Sequence, residues 1–205
     1  MMIIEELKMK KIMTLTLGLA AVLGLSISTD AMAQKIDTSE SIVKWTGYGV
    51  GKSHWGHVQI KSAELKFEKK EPKSGEVVID LNSIQAKDLE GEWADKLNGH
   101  LKGADFFNVE KHPVASFKTS SITKQKDGSY KVDGKLTIKD KTHDKSVLLK
   151  MEEEKKQKFL VGTLKFDRSK FDVKYNSDAF FDVAMLGDKL IKNDIDLELK
   201  LAVQE

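Results

Sequence analysis

From Ser41 onward, apolar and polar residues alternate with a period of two, the repeat of a strand that buries one face. The clearest run closes the chain. Ile195, Leu197, Leu199, Leu201 and Val203 alternate with Asp194, Asp196, Glu198, Lys200 and Ala202. Tyr130, Val132, Leu136 and Ile138 repeat the pattern against Lys131, Lys135 and Lys139. Six further runs, at Ile42–Trp45, Val58–Phe67, Val77–Leu81, Val114–Ile122, Val147–Met151 and Phe159–Phe166, bring the total to about eight strands.

One segment leaves this rhythm. "DLEGEWADKLNGHLKG" carries Leu89, Trp93, Leu97 and Leu101 at four-residue spacing, a helical stripe. Asp88 is a suitable N-cap, Glu90 and Glu92 fall in the first turn, and Lys102 then Gly103 close the end. Gly91 and Gly99 weaken the helix, so it must lean on packing through the stripe. Eight one-sided strands with one helix predict an all-β meander closed on itself. Closure removes exposed edges, and eight strands leave room for one small ligand inside. A two-sheet sandwich fits the same periodicity.

Two nearly identical tetrapeptides, "FFNV" at 106–109 and "FFDV" at 180–183, stand outside the alternation. Neighbouring residues on a strand face opposite ways, so a double phenylalanine there would expose one ring. In a loop both rings can fold inward, with Asn108 and Asp182 fixing the turn. The expectation is that Phe106, Phe107, Phe180 and Phe181 close the barrel ends. For Phe106 and Phe107 a small core under the helix with Trp93 and Leu97 is the alternative.

Composition narrows the function. The chain has 205 residues, 34 Lys+Arg against 32 Asp+Glu, and no cysteine. A net charge of +2, spread evenly, offers no electrostatic ground for binding nucleic acid. Thiol catalysis, disulfide exchange and cysteine–zinc sites are excluded. Residues 1–33 have the three parts of a secretory signal: Lys10 and Lys11, the apolar run "IMTLTLGLAAVLGLSIS", and the exit site Ala31-Met32-Ala33. The run is short for a membrane anchor, which needs about 20 apolar residues. Residues 34–205 are then one exported domain with no permanent membrane anchor.

Motifs for chemistry are sparse. "TGYGVGKSHWGH" (46–57) imitates a phosphate-binding loop, but Thr46 stands where the first glycine is needed, and a strand follows. Its glycines read as a bend between two strands. His54 and His57 would point to opposite faces of a strand, and His100, His112 and His143 are scattered, so no metal site and no catalytic residue is assigned. Arg168 is the only arginine. Its fork suits a bidentate carboxylate pair, here expected with Asp182 near a barrel rim.

Several stretches together resemble the YceI-like family of lipid- and polyisoprenoid-binding proteins. These are "VKWTG" near the mature start, "LKGADFFNVEKHPVASF", "VDGKLTIKDKTHDKSVLL" and "FDRSKFDV". The resemblance spans essentially Gln34–Gln204. It implies an eight-stranded antiparallel, lipocalin-like β-barrel with a helical excursion and a hydrophobic tunnel. It also implies a periplasmic protein holding a long apolar chain, such as a polyprenyl or isoprenoid-quinone tail, as ligand rather than cofactor. Candidate tunnel residues on the strands are Trp45, Phe67, Phe117, Leu136, Ile138 and Phe166. Trp93, Phe106, Phe107, Phe180 and Phe181 would add to them from the helix and loops. Catalysis is not expected, and a homodimer is left open. An enzyme acting on such a lipid through a histidine, and a barrel filled by its own side chains, are the competing readings. A cell without an outer membrane would secrete the protein.

The export reading makes a direct prediction. Protein recovered from its own cells begins at Gln34 and stays soluble, as intact-mass analysis would register. An intact N-terminus embedded in membrane overturns it.

Overall fold

The computed structural model describes residues 33–69 and 71–204. The segment read as an export signal lies, up to Met32, outside them. The strands are β1 (Ala33–Gly49), β2 (Ser53–Glu68), β3 (Glu71–Ala86), β4 (Val114–Lys124), β5 (Tyr130–Ile138), β6 (Lys141–Glu154), β7 (Gln157–Asp167) and β8 (Ile191–Val203). Each pairs antiparallel with the next, and β8 returns to β1. Val43 lies opposite Leu199, Trp45 opposite Leu197 and Gly47 opposite Ile195, so first and last strands share one sheet. The barrel is closed, and the sandwich alternative falls.

The period-two pattern explains which side faces in. Along β5, Tyr130, Val132, Leu136 and Ile138 are buried while Lys131 and Lys135 are exposed. The strands run well beyond the apolar runs that announce them: β1 has 17 residues, of which Ile42–Trp45 is the legible part. Ladder hydrogen bonds are made by the backbone, so polar residues extend a strand as readily as apolar ones. The register of β1 shifts between Lys35 and Val43. There the Asp37 carboxylate accepts from the Ser39 N–H at 2.9 Å and the Ser39 hydroxyl at 2.6 Å. Those bonds hold its pKa below the usual carboxylate value.

Antiparallel order sorts the connections by end. The short β2–β3, β4–β5 and β6–β7 connections occupy one end. The other end carries the β1–β2 and β5–β6 turns and two long crossings, residues 87–113 and 168–190. The glycine-rich stretch at 46–57 makes the β1–β2 hairpin, with Gly51 at a φ of 68° in the left-handed region.

The first crossing holds α1 (Gly91–Lys102), which starts later than the capping pattern predicts. Glu90 occupies the cap position without a side-chain bond, and Gly91 enters at a φ of 55°. Asp88 is taken elsewhere: its carboxylate accepts from the Trp55 N–H at 3.1 Å and lies 2.7 Å from His54 Nδ1. The Asn98 side chain accepts from the Ala86 N–H at 2.7 Å and pins α1 to the end of β3. The second crossing contains the single turn α2 (Val183–Leu186), whose first N–H groups are capped by Asp182, with Ala184 N–H donating at 2.7 Å.

Arg168 organises the second crossing, though not as an ion pair with Asp182. Its side chain is fully buried, and its three nitrogen groups donate to backbone carbonyls. Nε reaches Lys192 at 3.1 Å, and the two terminal nitrogens reach Val173 at 2.9 Å and Ile191 at 2.8 Å. The guanidinium carbon also lies 5.5 Å from the centre of the Phe106 ring. Burial pulls the pKa down to about 10, so the group stays charged at neutral pH. Lys139, between β5 and β6, donates to Phe106 O at 3.0 Å and Asp172 O at 2.8 Å, tying the two crossings together.

An ammonium cannot reach three carbonyls arranged for a planar fork. Arg168→Lys should therefore cost about 2–4 kcal/mol and lower the melting midpoint by roughly 5–10 °C. Asp182→Ala, which removes only an exposed cap, should cost about 1 kcal/mol or less. Thermal denaturation of the two variants checks both; an unchanged midpoint for Arg168→Lys overturns this account.

Candidate functional site

The barrel encloses a cavity of about 450 Å³, and every strand contributes to its wall. That volume lies in the range of small-ligand sites, roughly 300–1,000 Å³. Of the residues the sequence nominates, Trp45 on β1, Phe117 on β4, Leu136 and Ile138 on β5, and Phe166 on β7 border it. Phe106 and Phe107 join them from the first crossing. Both are buried, with ring centres 5.1 Å apart in an edge-to-face arrangement. Directly after α1 the chain folds back: the Phe107 N–H donates to Leu101 O at 3.1 Å, and Asn108 sits at a φ of 50°. The rings thereby face the barrel end. Leu97 and Leu101 of α1 also line the cavity.

Four nominated residues lie elsewhere. Phe67 is buried opposite Pro72 at the tight-turn end, in the core but not on the cavity wall. Trp93 is 71% exposed, because α1 turns only its later residues toward the barrel. Phe180 and Phe181 are 42% and 51% exposed. The space beneath that crossing is already filled by Phe171 and Val173, both fully buried, and the Phe171 ring meets Phe166 at 5.6 Å. The Phe180 and Phe181 N–H groups both donate to Ser177 O, so the chain turns outward there. The matching tetrapeptides end in opposite environments.

Sequence reasoning also missed part of the wall. The aliphatic face of Val132, Leu160, Leu164, Leu197 and Leu199 lines the cavity, and the alternation itself would have placed these inward. The polar collar was missed too. Tyr48, Lys52, His54, His100, Tyr175 and Asn176 border the cavity, all at the end with the long crossings. They come from three separate segments, the β1–β2 hairpin, α1 and the second crossing, so no local motif announces them.

Several collar groups are paired. His54 lies against Asp88, and the His100 ring meets Tyr175 edge-on with centres 4.2 Å apart. The Tyr48 hydroxyl donates to Asp196 at 2.6 Å, a bond that raises the phenol pKa and lowers that of the carboxylate. His57, two residues from Trp55, packs its ring 5.8 Å from that exposed indole on the outer face, away from His54. Burial, then Lys87 and Lys44, lower its pKa, keeping the imidazole neutral at neutral pH. Among the described residues, no three His, Asp or Glu side chains gather in a metal-binding group.

Comparison with known proteins bears on this geometry. A UPF0312 protein of Yersinia pestis is 33% identical over 134 residues, covering 60% of this chain and 64% of its own. A UPF0312 protein of Vibrio cholerae is 26% identical over 137 residues, covering 65% of this chain and 70% of its own. Among solved structures, BcnA of Burkholderia cenocepacia aligns with a TM-score of 0.66 at 22% identity, over 82% of this chain and 99% of that one. A polyisoprenoid binding domain from Saccharophagus degradans aligns with a TM-score of 0.57 at 12% identity, over 84% and 98%. At such identities the structural likeness speaks for the fold. The profile of the YceI-like domain matches residues 34–203, and with that match across the whole barrel the chain belongs to the YceI-like family.

Proposed function

We propose that this is an exported, periplasmic binding protein that holds a long apolar chain inside the barrel and performs no chemistry on it. The candidates are a polyisoprenoid, an isoprenoid-quinone tail or another lipid. One observation carries the reading: a cavity of about 450 Å³, walled mainly by apolar side chains, with its charged and histidine side chains all at the end with the long crossings. Protein interiors pack closely, with few voids larger than a water molecule. A barrel filled by its own side chains would not keep such a space. The Saccharophagus domain, a polyisoprenoid binding domain, points to the same ligand class.

The energetics suit a chain. Each buried CH₂ gains about 0.8 kcal/mol, so roughly ten buried carbons gain about 8 kcal/mol before the costs of association. Phe, Leu, Ile and Val offer no directional bonds, so length and girth would decide what is retained. The polar collar would hold a head group while the tail lies deeper. The catalytic rival would centre on the His54–Asp88 pair, the histidine–carboxylate contact that borders the cavity. No hydroxyl is bonded to His54 among the described residues, which favours binding over nucleophilic chemistry.

Native mass spectrometry of protein recovered from its own cells tests this. The expected result is a releasable apolar mass that stays unchanged on incubation. A bare protein, or turnover of the bound mass, overturns it. Ala115 lies on the cavity wall, so Ala115→Phe should reduce retention of a polyprenyl alcohol about tenfold and move the melting midpoint by only about 3 °C. Undiminished retention in a folded variant would place the ligand outside the barrel.

A further inference from the structure

Large apolar side chains on the surface are ordinary when scattered singly. Here they are not scattered. Among the described residues nine large hydrophobics are exposed, and seven of them belong to the end with the two crossings. Phe180, Phe181, Val183 and Met185 project from the second crossing, with Met185 at 85% exposure. Trp93 projects from α1, and Val50 and Trp55 flank the β1–β2 turn. Only Ile42 and Leu148 lie elsewhere, on the barrel side. Three separate segments thus ring one end with exposed apolar groups, and gathered apolar surface of this kind marks an interaction site.

The cavity identifies the partner. The same end supplies its polar collar and, through Lys52, Asp188, Lys189 and Leu190, its rim. An apolar chain leaving there into water would lose about 0.8 kcal/mol for each carbon exposed. Leaving into hydrocarbon, it would lose almost none. Trp beside lysine is also the chemistry of a headgroup layer, where rings lie at the boundary and ammonium groups reach water. Lys96 Nζ lies 5.1 Å from the Trp93 ring centre, and Lys174 Nζ 5.3 Å from that of Phe180. Carboxylates offset much of this charge. Glu92 pairs with Lys96 at 3.7 Å, Asp172 with Lys174 at 3.0 Å, and Asp178, Asp182 and Asp188 lie on the same crossing.

We propose that this end of the barrel docks on a lipid bilayer by inserting the Phe180–Met185 segment and Trp93, and that the tunnel exchanges its occupant there. The docking stands on the exposed residues alone; the exchange rests on the binding function proposed above. Apolar insertion carries the attachment, because the lysines and carboxylates nearly balance.

The test is sedimentation of the protein, recovered from its own cells, with vesicles of phosphatidylethanolamine and phosphatidylglycerol. The wild type should sediment at low salt and still do so at about 0.5 M salt, roughly five times the ionic strength at which exposed charges are already screened beyond about 10 Å. A variant combining F180S, F181S, V183S and M185S should bind at least about tenfold more weakly. A variant combining I42S and L148S, which removes exposed apolar surface from the barrel side, should bind like the wild type. Circular dichroism confirms that both variants fold. Absence of sedimentation, loss of it at high salt, or equal binding by the fourfold variant overturns the docking. Native mass spectrometry of the same fourfold variant separates the two proposals. A retained apolar mass with lost vesicle binding supports docking as an independent property, and a bare wild type that still sediments removes the exchange while leaving docking in place.

Discussion

The ladder between β8 and β1 is the constraint on which the remaining features depend. Without it, eight amphipathic strands would form an open sheet with two unpaired edges and one greasy face, an aggregating object. With it, each inward residue faces the opposite wall, and the interior becomes a single enclosed space. The radius is set by the strand number and its stagger, not by the side chains. Interior residues can therefore be too small to meet at the centre. The cavity arises from that mismatch between a ring of fixed circumference and side chains of finite reach.

Closing the ring does not close its ends, and the two ends are treated differently. At one, short turns leave Phe67 and Phe159 buried among the strand termini. At the other, two long crossings fold over the opening. They carry many backbone groups with no ladder partner, and a buried carbonyl without a donor is costly. Arg168 satisfies three carbonyls from one side chain, that of Val173 in the second crossing and those of Ile191 and Lys192 at the start of β8, and Lys139 satisfies two more across both crossings. Buried cations usually require carboxylate partners; here the carbonyl dipoles of an irregular segment serve instead. A rigid cap with a few exposed loops around it is what results.

The candidate site was legible where the backbone is regular. Trp45, Phe117, Leu136, Ile138 and Phe166 could be placed inward because a strand's side chains alternate without exception between bulges. Phe180 and Phe181 could not, because a loop has no period. Which way a loop ring points depends on what already occupies the space beneath it, and here Phe171 and Val173 do. Trp93 failed for a related reason. Its helical spacing was right, but the start and tilt of α1 depend on Gly91 and on the bond from Ala86 to Asn98, which is a tertiary contact.

By itself, the sequence determined that the domain is all-β with about eight strands, which face of each strand is apolar, and that no thiol chemistry is available. Those properties follow from local periodicity and composition, which survive any rearrangement of distant parts. Only the tertiary structure decided between barrel and sandwich, sent Arg168 to carbonyls rather than to a carboxylate, and turned one phenylalanine pair inward and the other out. Each of these depends on pairings between residues far apart in the chain: β1 with β8, Arg168 with Ile191 and Lys192, Lys139 with Phe106 and Asp172. Alternation records what a residue can do; the partners that close the ring and seal its end record what it does.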